Sequence, residues 1–245
     1  MREWFLDLNT MNLKLYNMYN IMPEFNETAI SFEYDSFDDK KQVMLDALKK
    51  IVTDTYTPLE GNIFYIHETF TLSPLLYTKQ LNLFWCGKQA NTRIYEIGFN
   101  AGHSAMVLLL GRDTSPLEFT IFDLGEHLYT KPCLDYIQSK FSNVRMEYVK
   151  GDSIETIPQW ISQNKSSIWT YDLIHVDGGH SESCISNDMK YADLLIKMGG
   201  IIIIDDTNDS IINNYVNLYL NSGYYREIDI LKTYGYTHRI IQRIK

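Results

Sequence analysis

Two adjacent aspartates, Asp205 and Asp206, close the run GGIIIIDDT at residues 199–207. Four consecutive isoleucines read as a strand buried on both faces, as in a parallel sheet covered by helices. Carboxylates at the end of such a strand repel each other and are costly to bury unpaired. Either they cap the next helix, or something positive sits beside them. Other strand-like runs also end in groups that could do chemistry. EIGFNAGHS, residues 96–104, has the spacing E-x-G-x-x-x-G, and Gly98 and Gly102 permit a tight turn and close backbone approach to a ligand at the next helix. FTIFD ends in Asp123, whose carboxylate can accept from both hydroxyls of a ribose. KGDS offers Asp152 and Ser153 to an adenine, and HVDGGH puts Asp177 at a strand tip with His180 in the loop. Taken singly, each of these is equally a helix cap, an Asx turn or a glycine turn.

The elements that must position these residues are regular from Arg93 onward. Short apolar strands (RIYEI, FTIFD, VRMEYV, YDLIHVD, IIIID) alternate with helical segments starting near residues 104, 132, 154, 183 and 211. Runs 225–231 and 238–244, separated by KTYGYT, read as a closing hairpin. This alternation predicts an α/β fold with a doubly wound, mostly parallel sheet whose ligands sit at the carboxyl ends of its strands. All five strand ends then carry an acid or a glycine turn on one edge. Residues 1–90 have a different, aromatic and irregular texture. Within them, KKQVMLDALKKIVTD predicts a helix burying Val43, Met44, Ala47, Leu48, Ile51 and Val52. SPLLYTKQLNLFWCGKQ predicts a helix with Ser73 as N-cap and Pro74 at the first position. The chain divides into an N-terminal extension, 1–90, and a regular domain, 91–245.

The bulk properties narrow the function. The chain has 245 residues, 45% of them hydrophobic and 22% charged, enough for one large core. A formal net charge of -9 argues against nucleic acid, which needs a basic stripe. Cys86, Cys133 and Cys184 are scattered and odd in number, so free thiols in a reducing, cytoplasmic setting are expected. The start MREWFLDLNT is a poor signal peptide, and no run has the apolar length of a membrane span.

The order EIGFNAGHS, FTIFD, KGDS, DLIHVDGGH, GGIIIIDDT resembles the class I S-adenosylmethionine-dependent methyltransferases over about residues 93–245. The pair D-G-G-H and D-D-T is most similar to the small-molecule branch of macrocin-type sugar O-methyltransferases and cephalosporin hydroxylase-like proteins. The resemblance implies a seven-stranded sheet with a reversed last strand. It also implies S-adenosylmethionine as cofactor, with Glu96, Gly98, Asn100, Gly102, His103 and Ser104 at its methionine end. Asp123 would hold the ribose, and Asp152 with Ser153 would flank the adenine. Asp177, Asp205 and Asp206 would bind a divalent metal, Mg²⁺ in the first instance, and His180, with Asp177, would be catalytic as the base. The motif-free first ninety residues are left for a lid, substrate contacts or a homo-oligomer interface.

The expected reaction is therefore methyl transfer to a hydroxyl of a small polar acceptor, a sugar or nucleotide-linked sugar. A catechol methyltransferase with the same metal site is the first rival, and a non-catalytic cofactor-binding protein the second. The glycine spacing disfavours a nicotinamide dehydrogenase, and no NPPY-like or DPPY-like element points to an amine target. His103, at the start of a helix, is assigned either to the site or to solvent, and His175, inside a strand, to the core. His127, Tyr129 and Lys131 are offered to the cofactor or a phosphate, with a plain surface loop as the alternative.

Overall fold

In the computed structural model, which describes residues 23–66, 69–112, 115–233 and 237–245, seven strands form one sheet in the order β5-β4-β3-β6-β7-β9-β8. They are β3 (Arg93–Ile97), β4 (Leu117–Asp123), β5 (Val144–Lys150), β6 (Tyr171–Val176), β7 (Ile196–Ile204), β8 (Tyr225–Glu227) and β9 (Arg239–Arg243). β3 to β7 run parallel, and β9 is antiparallel to both β7 and β8. This is the seven-stranded, mostly parallel sheet with a reversed last strand that the sequence led us to expect. β8 is shorter than its apolar run, and the first twenty-two residues, His67 and part of the KTYGYT loop lie outside the described residues.

Strand pleating divides the core by face. Ile94, Phe119, Ile121, Leu173, Ile201, Ile203 and Ile240 face one cluster, and their neighbours Tyr95, Phe122, Ile174, Val176, Ile202, Ile204 and Ile241 face the other. The second cluster is covered by α6 (Ser153–Gln163), α7 (Glu182–Leu195) and α8 (Ser210–Asn221). On the first face lie α4 (His103–Leu110) and α5 (Thr130–Lys140). Every residue of α4 is buried, because a further layer covers it.

That layer comes from the N-terminal segment: α1 (Glu27–Asp35), α2 (Asp38–Asp54), the small hairpin β1 (Tyr65–Ile66) and β2 (Thr71–Leu72), and α3 (Tyr77–Gln89). α3 crosses α4 so closely that a Cβ on Gly87 would come within 2.1 Å of the Leu108 carbonyl oxygen. Two local expectations shift. Val43 is exposed, and Lys41 and Leu45 join Met44, Leu48 and Val52 on the buried stripe of α2. Lys41 is accommodated on that stripe by Tyr34, whose ring centroid lies 3.5 Å from its ammonium, and by Asp38 at 2.6 Å. Ser73 does not cap with its side chain; residues 74–76 form a 3₁₀ turn ahead of α3, and the Ser73 N–H donates to the Phe64 carbonyl. Among the described residues no helix is long and apolar enough to cross a membrane.

Candidate active site

Chain order reverses between β3 and β6, and in such sheets the crevice beyond the strand ends at this point takes the ligand. β3 is followed by Gly98, at φ 87°, where an added Cβ would meet the Asp177 carbonyl oxygen at 1.9 Å. Only glycine allows the two strand ends to approach this closely. The turn continues through Asn100 (φ 52°) and Gly102 (φ 77°), closed by a 2.7 Å bond from the Gly102 N–H to Phe99 O. Asp123 pins it: one carboxylate oxygen accepts from the N–H groups of Phe99 and Asn100, each at 2.9 Å, and the other from Gly125 N–H at 2.6 Å. Three of about four acceptor directions on that carboxylate are thus used by backbone. The Asn100 amide donates to Glu60 O, which ties the turn to the N-terminal segment.

Beneath the turn Glu96 is wholly buried. Its Oε1 accepts from Ser104 Oγ at 2.6 Å and from His175 Nδ1 at 2.9 Å, and its Oε2 has no protein partner. His103 is buried rather than solvent-facing, with its ring against Phe64 and edge-on to Tyr65. Burial lowers its pKa to about 4, so the ring is neutral. At the end of β5, Asp152 caps α6 by accepting from Ile154 N–H at 2.9 Å, and Ser153 opens that helix. Behind them Asp188 is buried on α7. Burial pushes its carboxyl up to about 6, against hydrogen bonds from Ser153 and Asn187. His127 stacks on Tyr129 at 4.9 Å and faces Glu60, while Lys131 pairs with Asp135.

The acids of β6 and β7 converge. Asp177 N–H donates to Ile97 O and Asp205 N–H to Val176 O, so both residues extend the sheet ladder by one step. Asp206 then turns into the left-handed region at φ 51°, sparsely used by residues with a Cβ. Its Oδ2 lies 2.9 Å from His180 Nε2. Asp205 Oδ2 lies 2.6 Å from the ammonium of Lys79, with both side chains under 5% exposed. Donor atoms of His175, Asp177 and Asp205 lie within 4.8 Å of one another. Asp177, Gly178, Gly179, His180, Asp205 and Asp206, together with Val176, Ile185, Asp188 and Ile212, line a small cleft.

Charge in the cluster is uneven. Burial and repulsion from Asp205 hold the Asp177 carboxyl well above the usual range, and the same two causes raise Asp206. Asp205 is lowered: burial works against its charge, but Lys79 and the nearby histidines outweigh it. Lys79 is raised for the mirror reason, burial opposing it and Asp205 and Asp177 prevailing. His175 is also raised, burial being outweighed by the bond to Glu96 and the charges of Asp177 and Asp205. As an imidazolium His175 is a second counter-charge; as a neutral ring its Nε2, which has no protein partner, is a metal donor.

A divalent cation fits this donor set, since carboxylate oxygens with one imidazole suit several such ions. Of the expected trio, Asp177 and Asp205 share one cluster with His175, whereas Asp206 turns one oxygen to His180. Sequence reasoning assigned nothing to Lys79 and found His238 uninformative; the Nε2 of His238 lies 2.9 Å from the Asn82 amide, and burial lowers its pKa to about 3. A faint signal existed: Lys79 and Asn82, one helical turn apart, interrupt the otherwise apolar face of α3. What they would face could not be read from spacing.

Residues 95–207 match a family model described as a methyltransferase domain. Among solved structures the chain is similar to a TDP-rhamnose 3'-O-methyltransferase of calicheamicin biosynthesis, with TM-score 0.55 and 16% identity over 82% of this chain and 93% of that one. An O-methyltransferase from Bacillus cereus, solved with SAH, gives TM-score 0.55 and 18% identity over 83% and 91%. An O-methyltransferase of tomaymycin synthesis from Streptomyces achromogenes, solved with SAM, gives 0.56 and 14% over 82% and 89%. No curated protein matches the chain by sequence.

Proposed function

Because the chain carries an S-adenosylmethionine-dependent methyltransferase domain, we propose that it methylates a hydroxyl oxygen of a small polar acceptor, a sugar or nucleotide-linked sugar. One observation carries this reading: Asp177, Asp205, Asp206 and His180 line a single cleft beside the glycine turn at the sheet's switch point. The residues at the ends of β3, β4 and β5 would hold S-adenosylmethionine, which would supply an electrophilic methyl group. Gly98, Asn100 and Gly102 would form the turn under it, with Glu96, His103 and Ser104 behind. Asp123 has one acceptor direction left for a ribose hydroxyl, and Asp152 with Ser153 would border the adenine.

An acceptor hydroxyl must lose its proton as its oxygen attacks in line with the departing sulfur, and the protein's task is alignment and proton removal. Asp206 accepts from His180 Nε2–H, which leaves the Nδ1 lone pair of His180 as the base. Nδ1 of His180 would take the hydroxyl proton as the acceptor oxygen attacks, with Asp206 holding the ring in place. Asp177 and Asp205 with His175 would hold a divalent cation, joined by the free oxygen of Asp206; such an ion supplies Lewis-acid polarisation of the hydroxyl. The neighbouring cleft carries carboxylates and glycines beside Val176, Ile185 and Ile212, and its carboxylates can accept hydrogen bonds from a polyol.

Labelled methyl transfer to a panel of nucleotide sugars, free sugars and catechols, with and without EDTA, tests the reading. Transfer to sugar hydroxyls, reversibly reduced by EDTA and restored by Mg²⁺ or Mn²⁺, is the expected result. Transfer to catechols alone would overturn the acceptor class. Full activity in EDTA would remove the cation and leave His180 with Asp206 as a metal-free base.

A further inference from the structure

The ammonium of Lys79 reaches the acid cluster from α3, outside residues 95–207, and lies 2.6 Å from Asp205 with both side chains almost inaccessible. Burying two charges is expensive, and a buried pair is often no more stable than an apolar replacement of the same volume. Lys79 therefore has no obvious value as a staple, and its position suggests another role. It contacts one of the carboxylates that gather with His175 into the candidate donor set. An ammonium and a divalent cation are rivals for such an oxygen, because each neutralises the same charge and the two repel each other.

We propose that Lys79 is a resident cation of the acid cluster: a positioning residue that orients Asp205 and, by holding it, weakens the cluster's grip on a divalent ion. This rests on the reading of the cleft as a methyltransferase site. Lys79 neutralises buried Asp205 when no metal is present, so the acids that follow β6 and β7 stay together in the metal-free protein. It also makes any bound metal exchangeable. Asp205 is held in both conditions, and only its partner changes.

The experiment compares the wild-type chain with Lys79→Met, which keeps the length of the stem, and with Lys79→Arg, which keeps the charge. Mn²⁺ binding is measured directly by electron paramagnetic resonance, and Tm is followed with and without Mn²⁺. Lys79→Met is expected to bind Mn²⁺ about tenfold or more tightly, because a positive charge beside the ion has gone. Its Tm should fall without metal and rise further with Mn²⁺ than that of the wild type, while Lys79→Arg should behave as the wild type does. Equal or weaker Mn²⁺ binding by Lys79→Met would overturn the proposal, as would failure of all three proteins to bind Mn²⁺. Should Lys79→Met not fold without metal, Lys79→Gln is refolded in Mn²⁺, and the same tighter binding is required of it. Stabilisation by S-adenosylhomocysteine, measured in parallel, tests the methyltransferase reading separately, since cofactor binding does not depend on which cation holds Asp205.

Discussion

At the level of single residues, His180 and His103 separate two uses of a histidine. His180 is more than half exposed, on the lip of the cleft, and is oriented by Asp206. Replacing it with Ala should lower turnover by about 10²–10⁴-fold, the usual contribution of a general base. Binding of S-adenosylhomocysteine should be retained, which a titration of the variant would check. His103 is buried and held neutral, with its pKa lowered to about 4. In the unfolded chain it takes up a proton near pH 6.5, so between pH 6.5 and 4 the unfolded state binds more protons and stability falls as the pH drops. Wild type should therefore lose about 1.4 kcal/mol per pH unit relative to His103→Phe across that window. Urea unfolding of both proteins at pH 6 and 4.5 measures the difference; parallel curves would show that the ring is not held neutral. Both histidines were visible in the sequence, but their exposure was not. This helix-start histidine packs against Phe64 and Tyr65 of the N-terminal segment, and no local pattern announces that cover.

Among the elements, the strand ends were the most legible part of the site. Apolar runs ending in acids located β4, β6 and β7, because a strand buried on both faces concentrates its polar residues at its tips. Gly98 was legible for a different reason, since a glycine between a strand and a helix signals a position closed to side chains. The structure identifies the obstacle as the carbonyl of Asp177. Gly98→Ala must either push β3 and β6 apart at the switch point or move the turn, with a left-handed backbone adding to the strain. We expect a loss of about 2 kcal/mol or more in stability, with cofactor affinity falling too. Denaturant titration and a cofactor-binding assay measure both, and a variant near wild type in each would show that the turn adapts freely. The illegible element was α3. Its helical pattern was clear, but its docking on α4 depends on Gly87 meeting the Leu108 backbone, a contact across the chain.

For the molecule as a whole, stabilisation by cofactor is the simplest test, since a ligand that binds only the native state raises Tm by mass action. S-adenosylhomocysteine should do so and NAD should not, because the glycine turn lacks the dinucleotide spacing. Asp123→Ala should reduce the shift for two reasons: a ribose hydroxyl loses an acceptor, and the Phe99 and Asn100 N–H groups lose theirs. An undiminished shift in thermal melts of that variant would remove Asp123 from the cofactor site.

The place of β9 in the sheet has a consequence for how the protein comes into being. β9 is inserted between β7 and β8, and just before it His238 touches Asn82, 156 residues earlier. During synthesis α3 leaves the ribosome long before these partners, and β7 waits with one edge open until β9 has emerged. A nascent chain that stops short of β9 cannot assemble the acid cluster against Lys79 with β7 paired on both sides. Ribosome-stalled chains that stop before β9 should therefore fail to retain S-adenosylhomocysteine, while chains that include β9 should hold it.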